Sequence, residues 1–193
     1  MKIGIDVDGV IVDTFGGFLE FYNERFNSNF KTEDLIDYHI WPILGISRDK
    51  NDELIEEFML SKSFGLMEPA DGMKDAIENL SGNEFFIITS RPKKLNKLTS
   101  AFLKRHFDKV DFRIFHTNDF HSENRGQSKA EICLEKSLDI FIEDCAKYAN
   151  ECAEKGIRVF LINKPWNKNE EIIDGVVRVS GWKEILEKIK NEH

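Results

Sequence analysis

Asp6 and Asp8 stand two positions apart in the stretch IGIDVDGVIVDT, among Ile3, Ile5, Val7, Val10 and Ile11. Side chains two apart on a strand share a face, so both carboxylates can converge on one ligand where a strand ends, and Gly9 gives the chain freedom to turn. Carboxylates this close repel, and one pKa rises unless a cation shares the site. The pair therefore points to a bound metal, an acid/base pair, or both; buried acids without such a role are costly. Three later segments carry further reactive groups. IITSRP offers the Thr89 and Ser90 hydroxyls followed by Arg91, Lys129 follows Ser128 at a helix start, and IED ends in Glu143 and Asp144.

Short β-branched or aromatic runs predict strands over residues 2–7, 84–89, 110–115, 139–143 and 157–162. Helical periodicity fills the gaps: Met73, Ala76, Ile77 and Leu80 share one face, as do Leu95, Leu98, Phe102 and His106 or Phe107. Cys145, Ala149, Cys152 and Ala153 share another, ended by Gly156, and Ser180 precedes the amphipathic set Trp182, Ile185, Leu186 and Ile189. Ser128 and Glu131 form a capping-box pattern that starts a helix at Lys129. Alternation of strand and helix predicts an α/β fold, a Rossmann-like parallel sheet of about five strands with helices on both faces. Every candidate group then falls at a strand's carboxyl end or a helix start, which is one edge of the sheet.

About 75 residues separate the first two strands, where a crossover needs a dozen or so. They hold Phe15, Phe18, Leu19, Tyr22 and Phe26 on one helical face and Leu54, Ile55, Phe58 and Met59 on another. We expect a helical cap over 15–68, inserted in a core made of 1–14 and 69–193, with the crossover helix starting near Asp71. An insertion leaving the first strand's carboxyl end lies where open α/β sheets bind ligands, which fits a lid.

The ordered set DVDGV, IITS, the lysine of GQSKAE, and IED resembles the haloacid dehalogenase (HAD) superfamily of phosphotransferases. The early helical insertion, the TSRP turn and the late INKPWN are most similar to its deoxyribonucleotidase branch and related bacterial nucleotidases. The resemblance implies a phosphatase in which Asp6 is the nucleophile and forms an aspartyl-phosphate. Asp8 would protonate the leaving oxygen and then deprotonate water, with a pKa well above that of Asp6. It further implies that Mg²⁺ is held by the Asp6 carboxylate, the Asp8 backbone carbonyl and the Asp144 carboxylate. Thr89 would hydrogen-bond the phosphoryl oxygens, with Ser90 and Arg91 beside it, and Lys129 would screen Asp6 from the phosphoryl group. Asp8 itself argues for a phosphatase, since members of the superfamily that attack carbon lack this residue and its transport ATPases carry threonine there. Glu143 stands where close relatives often have aspartate, and is expected behind the metal ligands.

The implied substrate is a small phosphomonoester, a nucleoside monophosphate first and a sugar or cofactor phosphate second. A phospho-acceptor module of the receiver type is disfavoured, because receivers carry the acceptor on a middle strand and lack a lid. The net charge of −8 gives no basic field for a nucleic-acid polymer. The first apolar run is broken by two aspartates and no window approaches ~20 apolar residues, so we expect a cytoplasmic protein without a membrane span. Cys133, Cys145 and Cys152 show no metal or disulfide spacing and read as small core residues. Arg91, Lys93 and Lys94 serve either to attract an anion or as a solvated helix turn. Phe15, Phe18, His39, Trp41 and Phe64 could include a base-stacking surface, although 16 Phe in the chain favour packing of the lid itself. His116, Asp119, His121 and Glu123 match no strong zinc spacing and read as a polar loop.

Overall fold

In the computed structural model, strands β1 (Lys2–Ile5), β2 (Glu84–Thr89), β3 (Phe112–His116), β4 (Ile140–Glu143), β5 (Arg158–Ile162) and β6 (Val176–Val179) form one parallel sheet. Their order is β3-β2-β1-β4-β5-β6. The structure describes residues 1–117 and 126–191; Asp119, His121 and Glu123 lie outside them. The sheet has one strand more than expected. β6 is only four residues long, VVRV, and two of its residues are half-exposed at the sheet edge, so it lacks the apolar run that marks the inner strands.

β1 lies between β2 and β4, with Ile5 in register with Ile87 on one side and Ile142 on the other. Alternation along the strands separates two apolar layers. Ile3, Ile5, Ile87, Ile142 and Phe160 face one layer together with Met73, Phe102 and Trp182. Phe86, Ile88, Phe141, Val159 and Leu161 face the other with Ile132, Cys133, Ala149 and Cys152. The three cysteines are free and buried.

Between β1 and β2 run helices α1 (Thr14–Phe26), α2 (Trp41–Leu44), α3 (Arg48–Met59) and α4 (Lys62–Gly65), then the crossover helix α5 (Met73–Asn79). Phe18, Leu19 and Tyr22 of α1 pack on Leu54 and Phe58 of α3 in a third apolar cluster, which also takes in Leu95 and Trp166 from later in the chain. The remaining helices are α6 (Asn96–His106), α7 (Lys129–Glu135), α8 (Ala146–Ala153) and α9 (Trp182–Lys190). Gly181, not Ser180, occupies the cap position of α9; both the backbone N–H and the hydroxyl of Ser180 donate to Glu184, at 2.8 and 2.9 Å. No helix among the described residues is long and apolar enough to cross a membrane.

The capping box of α7 is formed: Ser128 Oγ accepts from the Glu131 N–H at 3.1 Å and Glu131 Oε2 accepts from the Ser128 N–H at 2.8 Å. It fixes the first turn, and hence Lys129. Ser128→Ala is expected to lower the unfolding free energy by about 1 kcal/mol. Chemical denaturation reads this directly, and an unchanged midpoint would show that the box contributes nothing.

Candidate active site

β1 stops at Ile5, and the Asp6 N–H still donates to the Ile142 carbonyl at 3.0 Å, so Asp6 is anchored at the rim of the sheet. The chain then folds back, with the Ile11 and Val12 N–H groups donating to the Val7 carbonyl. Gly9 turns at φ +77°, and a Cβ there would lie 2.1 Å from Asp144 Oδ2. Only glycine allows both the turn and the approach of Asp144.

Lys129, 1% exposed, places Nζ 2.9 Å from Asp6 Oδ1 and 2.8 Å from Glu143 Oε2. The other Glu143 oxygen accepts from the backbone N–H groups of Asp144 and Cys145, both at 3.0 Å. Both oxygens of Glu143 are thus committed to holding Lys129 and the turn after β4. Asp144 is tied from the far side. Trp166 Nε1 donates to its Oδ2 at 3.1 Å, Asn167 Nδ2 donates to its carbonyl at 2.7 Å, and Arg178 of β6 donates to the Asn167 carbonyl at 2.8 Å. Trp166 and Asn167 belong to INKPWN, where sequence reasoning found no role for either side chain.

Carboxylate oxygens of Asp6, Glu143 and Asp144 lie within 4.8 Å of one another. Burial, only partly offset by Lys129 and reinforced by Glu143 and Asp8, pushes Asp6 up to about 7. Burial, then Glu143 and Asp6, push Asp144 well above the usual carboxylate range. Burial opposes the charge on Lys129, but Asp6 and Glu143 outweigh it and hold the ammonium firmly protonated. This all-oxygen, excess-negative donor set suits a hard divalent cation. Asp6 and Asp144 would offer it oxygens, while Glu143 orients Lys129 behind them.

Asp8 turns its carboxylate away from this cluster. Thr14 Oγ1 donates to it at 2.5 Å, and Arg91 grips it through Nη2 at 2.6 Å and Nε at 2.9 Å. Burial pushes the Asp8 carboxyl up, but Arg91 and Thr14 together outweigh it and leave it below its ordinary value. In the metal-free site, then, burial lifts Asp6 while Arg91 and Thr14 lower Asp8. Arg91 itself is buried, with Nη1 donating to Thr99 at 3.1 Å and its guanidinium lying 5.1 Å from the Phe64 ring centre. Thr89, fully buried, accepts from the Arg91 N–H at 3.1 Å, which leaves its hydroxyl proton available. His116 Nδ1 lies 2.8 Å from the Arg91 carbonyl and steadies the same turn.

A cleft opens above Asp6, Asp8, Ser90 and Lys129, walled by Phe15 and Phe18 of α1 and Phe58 of α3. His39 and Trp41 pack on each other at 4.5 Å and are not among the cleft residues. Lys94 stands at the wall paired to Glu56 at 2.6 Å. Tyr38 also lines the cleft and was not singled out from sequence, because it lies in irregular chain where no periodicity marks it.

A central parallel sheet, an acidic cluster, a buried lysine and a helical insertion after the first strand fit a phosphatase of the HAD type. The described structure overlays on L-2-haloacid dehalogenase from Xanthobacter autotrophicus with TM-score 0.65 and 8% identity, covering 100% of this chain and 99% of that one. It also overlays on a HAD hydrolase from Bacillus subtilis, solved bound to magnesium, with TM-score 0.64 and 15% identity over 98% of each chain. Residues 1–192 match the family model described as 5′ nucleotidase, deoxy (pyrimidine), cytosolic type C protein, and the chain belongs to this family. It is 26% identical to a nucleotidase of Clostridium acetobutylicum over 96% of this chain and 91% of the relative. A protein of Halalkalibacterium halodurans named as a putative nucleotidase is 30% identical, over 95% and 89% of the two chains.

Because Asp6 and Asp144 have raised pKa values, the metal-free fold binds more protons than the unfolded chain above about pH 4, and its stability falls as pH rises toward about 7. A cation that must displace those protons binds more tightly as they leave, so it stabilises the fold more at high pH than at low pH. The rise in Tm on adding millimolar Mg²⁺ is expected to be several degrees larger at about pH 8 than at about pH 5. Equal increments at both values would remove the cluster as the cation's site.

Proposed function

We propose that this enzyme is a Mg²⁺-dependent nucleotidase that releases phosphate from nucleoside monophosphates through an aspartyl-phosphate on Asp6. The observation that carries the reading is the contact of Lys129 with Asp6 beside Asp144, at the floor of a cleft whose walls are largely apolar. The family description and the relatives' names support nucleotides as substrates, and the magnesium-bound relative supports the choice of ion. Residues 15–68 would act as the cap over a core of 1–14 and 69–193. The family's cytosolic description favours a cytoplasmic location.

In this reading Asp6 forms a bond to phosphorus as the bond to the leaving oxygen breaks, and Asp8 gives that oxygen a proton. A water then attacks phosphorus, Asp8 takes its proton, and the Asp6–phosphorus bond breaks to restore the carboxylate. Lys129 cancels charge between Asp6 and the phosphoryl group, and the Thr89 and Ser90 hydroxyls donate to its oxygens. Mg²⁺, held by the Asp6 and Asp144 carboxylates and the Asp8 carbonyl, would supply positive charge against which an anion meets a dianion. Arg91 acts through Asp8: it fixes the direction of the carboxylate and lowers its pKa, and the substrate dianion raises that pKa again on binding, so Asp8 takes from solvent the proton that it gives the leaving oxygen.

Asp6→Asn is expected to reduce phosphate release by roughly a thousandfold or more with Tm retained. The assay is a panel of ribo- and deoxyribonucleoside monophosphates, sugar phosphates and p-nitrophenyl phosphate in Mg²⁺ and in EDTA. Retained activity would sink the covalent route, and activity on sugar phosphates alone would move the substrate class. Removing the Arg91 charge raises the Asp8 pKa, so protonated Asp8 persists to higher pH. In Arg91→Gln the descending limb of the kcat/KM profile should therefore move up by roughly one to three pH units, whatever the loss in rate. A limb that stays in place would detach Arg91 from Asp8.

A further inference from the structure

A phosphoryl group bound at Asp6 presents three non-bridging oxygens, and the sheet edge supplies donors from below through Lys129, Thr89 and Ser90. The side facing the insertion needs a donor too. Within the stretch 14–59, Tyr38, Thr14 and Glu56 are the cleft residues with polar side-chain atoms. Thr14 gives its hydroxyl proton to Asp8 at 2.5 Å. Glu56 is a carboxylate, paired to Lys94, and repels a phosphate. Tyr38 remains.

The Tyr38 ring is clamped edge-on against Phe15, with centres 6.0 Å apart, and against Tyr148 at 6.4 Å, so its direction is set by α1 on one side and α8 on the other. Its hydroxyl has no hydrogen-bond partner among the described residues, and it lies within the field of Asp144 and Asp6. Burial first, and then those two acids with Cys145 between them in weight, keep the phenol protonated far above neutral pH, so it is a donor under all working conditions. A protonated hydroxyl with no partner among the described residues, on a ring held between two aromatic neighbours and lining the cleft of Asp6 and Lys129, matches what a preorganised oxyanion donor requires.

We propose that Tyr38 is the insertion's catalytic donor: its hydroxyl hydrogen-bonds the phosphoryl oxygen that faces away from the sheet and completes the cradle begun by Lys129 and Thr89. This rests on the phosphomonoesterase reading of the site but not on the nucleotide as substrate. Tyr38→Phe keeps the ring and both of its edge contacts while removing only the donor, so a merely structural Tyr38 leaves that variant unchanged.

Two readouts test it in the full chain with Mg²⁺: kcat and KM for p-nitrophenyl phosphate, which carries no nucleoside, and the affinity of orthovanadate by calorimetry. Tyr38→Phe is expected to lower kcat and to weaken orthovanadate binding by about tenfold to a hundredfold, with KM and Tm close to wild type. Wild-type kcat and orthovanadate affinity in Tyr38→Phe would overturn the proposal. So would a loss confined to KM for nucleotides with p-nitrophenyl phosphate unaffected, because it would put the hydroxyl on the leaving group. A wild-type chain that binds orthovanadate through Tyr38 but hydrolyses no nucleoside monophosphate would overturn the nucleotidase reading and uphold the donor. A wild-type chain that binds no orthovanadate would overturn both.

Discussion

One ammonium, that of Lys129, lies between the buried carboxylates of Asp6 and Glu143, with Asp144 alongside. When all are ionised, three carboxylates against one ammonium leave two negative charges without a partner in the protein. Buried charge of that kind adds little to stability and costs much if it is misplaced by an ångström. The surroundings are accordingly occupied with placement. A capping box fixes the turn that carries Lys129, two backbone N–H groups fix Glu143, and Trp166, Asn167 and Arg178 fix the turn that carries Asp144.

Asp6 and Asp8 have different surroundings because the chain reverses between them. Asp6 is the last group held by the sheet, whereas Asp8 already belongs to the turn and faces Thr14 and Arg91. The same arginine lies against Phe64 of the helical insertion and bonds Thr99 of α6. The Asp8 carboxylate is thus connected to both sides of the cleft, and the apolar cluster of the insertion also takes in Leu95 and Trp166.

Much of this was legible in the chain, for definite reasons. Strands buried on both faces give unbroken apolar runs, so β1, β2, β4 and β5 stood out, and a charged pair inside such a run pointed to a site. The capping box at Ser128 and Glu131 is local chemistry, readable without a fold. What sequence did not show were contacts between distant segments. The four residues of β6 give too little periodicity to mark a strand, yet Arg178 from that strand supports Asn167. Arg91 looks like a free cation beside Lys93 and Lys94 until the fold brings Asp8 against it. Tyr38 sits in irregular chain, where neither period nor motif distinguishes a site residue from a packed one.

The central position of β1 sets a time order on the enzyme's appearance. The strand that leads into Asp6 is made before its neighbours in the sheet, β2 and β4, and the side chain that steadies Asp144 waits until Asn167. At ~5–20 residues per second, the stretch from Asp6 to Asn167 takes roughly ten to thirty seconds to leave the ribosome. Until Lys129, Glu143 and Asp144 have followed, the contacts around Asp6 cannot be complete. The nascent protein therefore carries Asp6 without the buried lysine and carboxylates that surround it in the fold, and these arrive only with the later parallel strands.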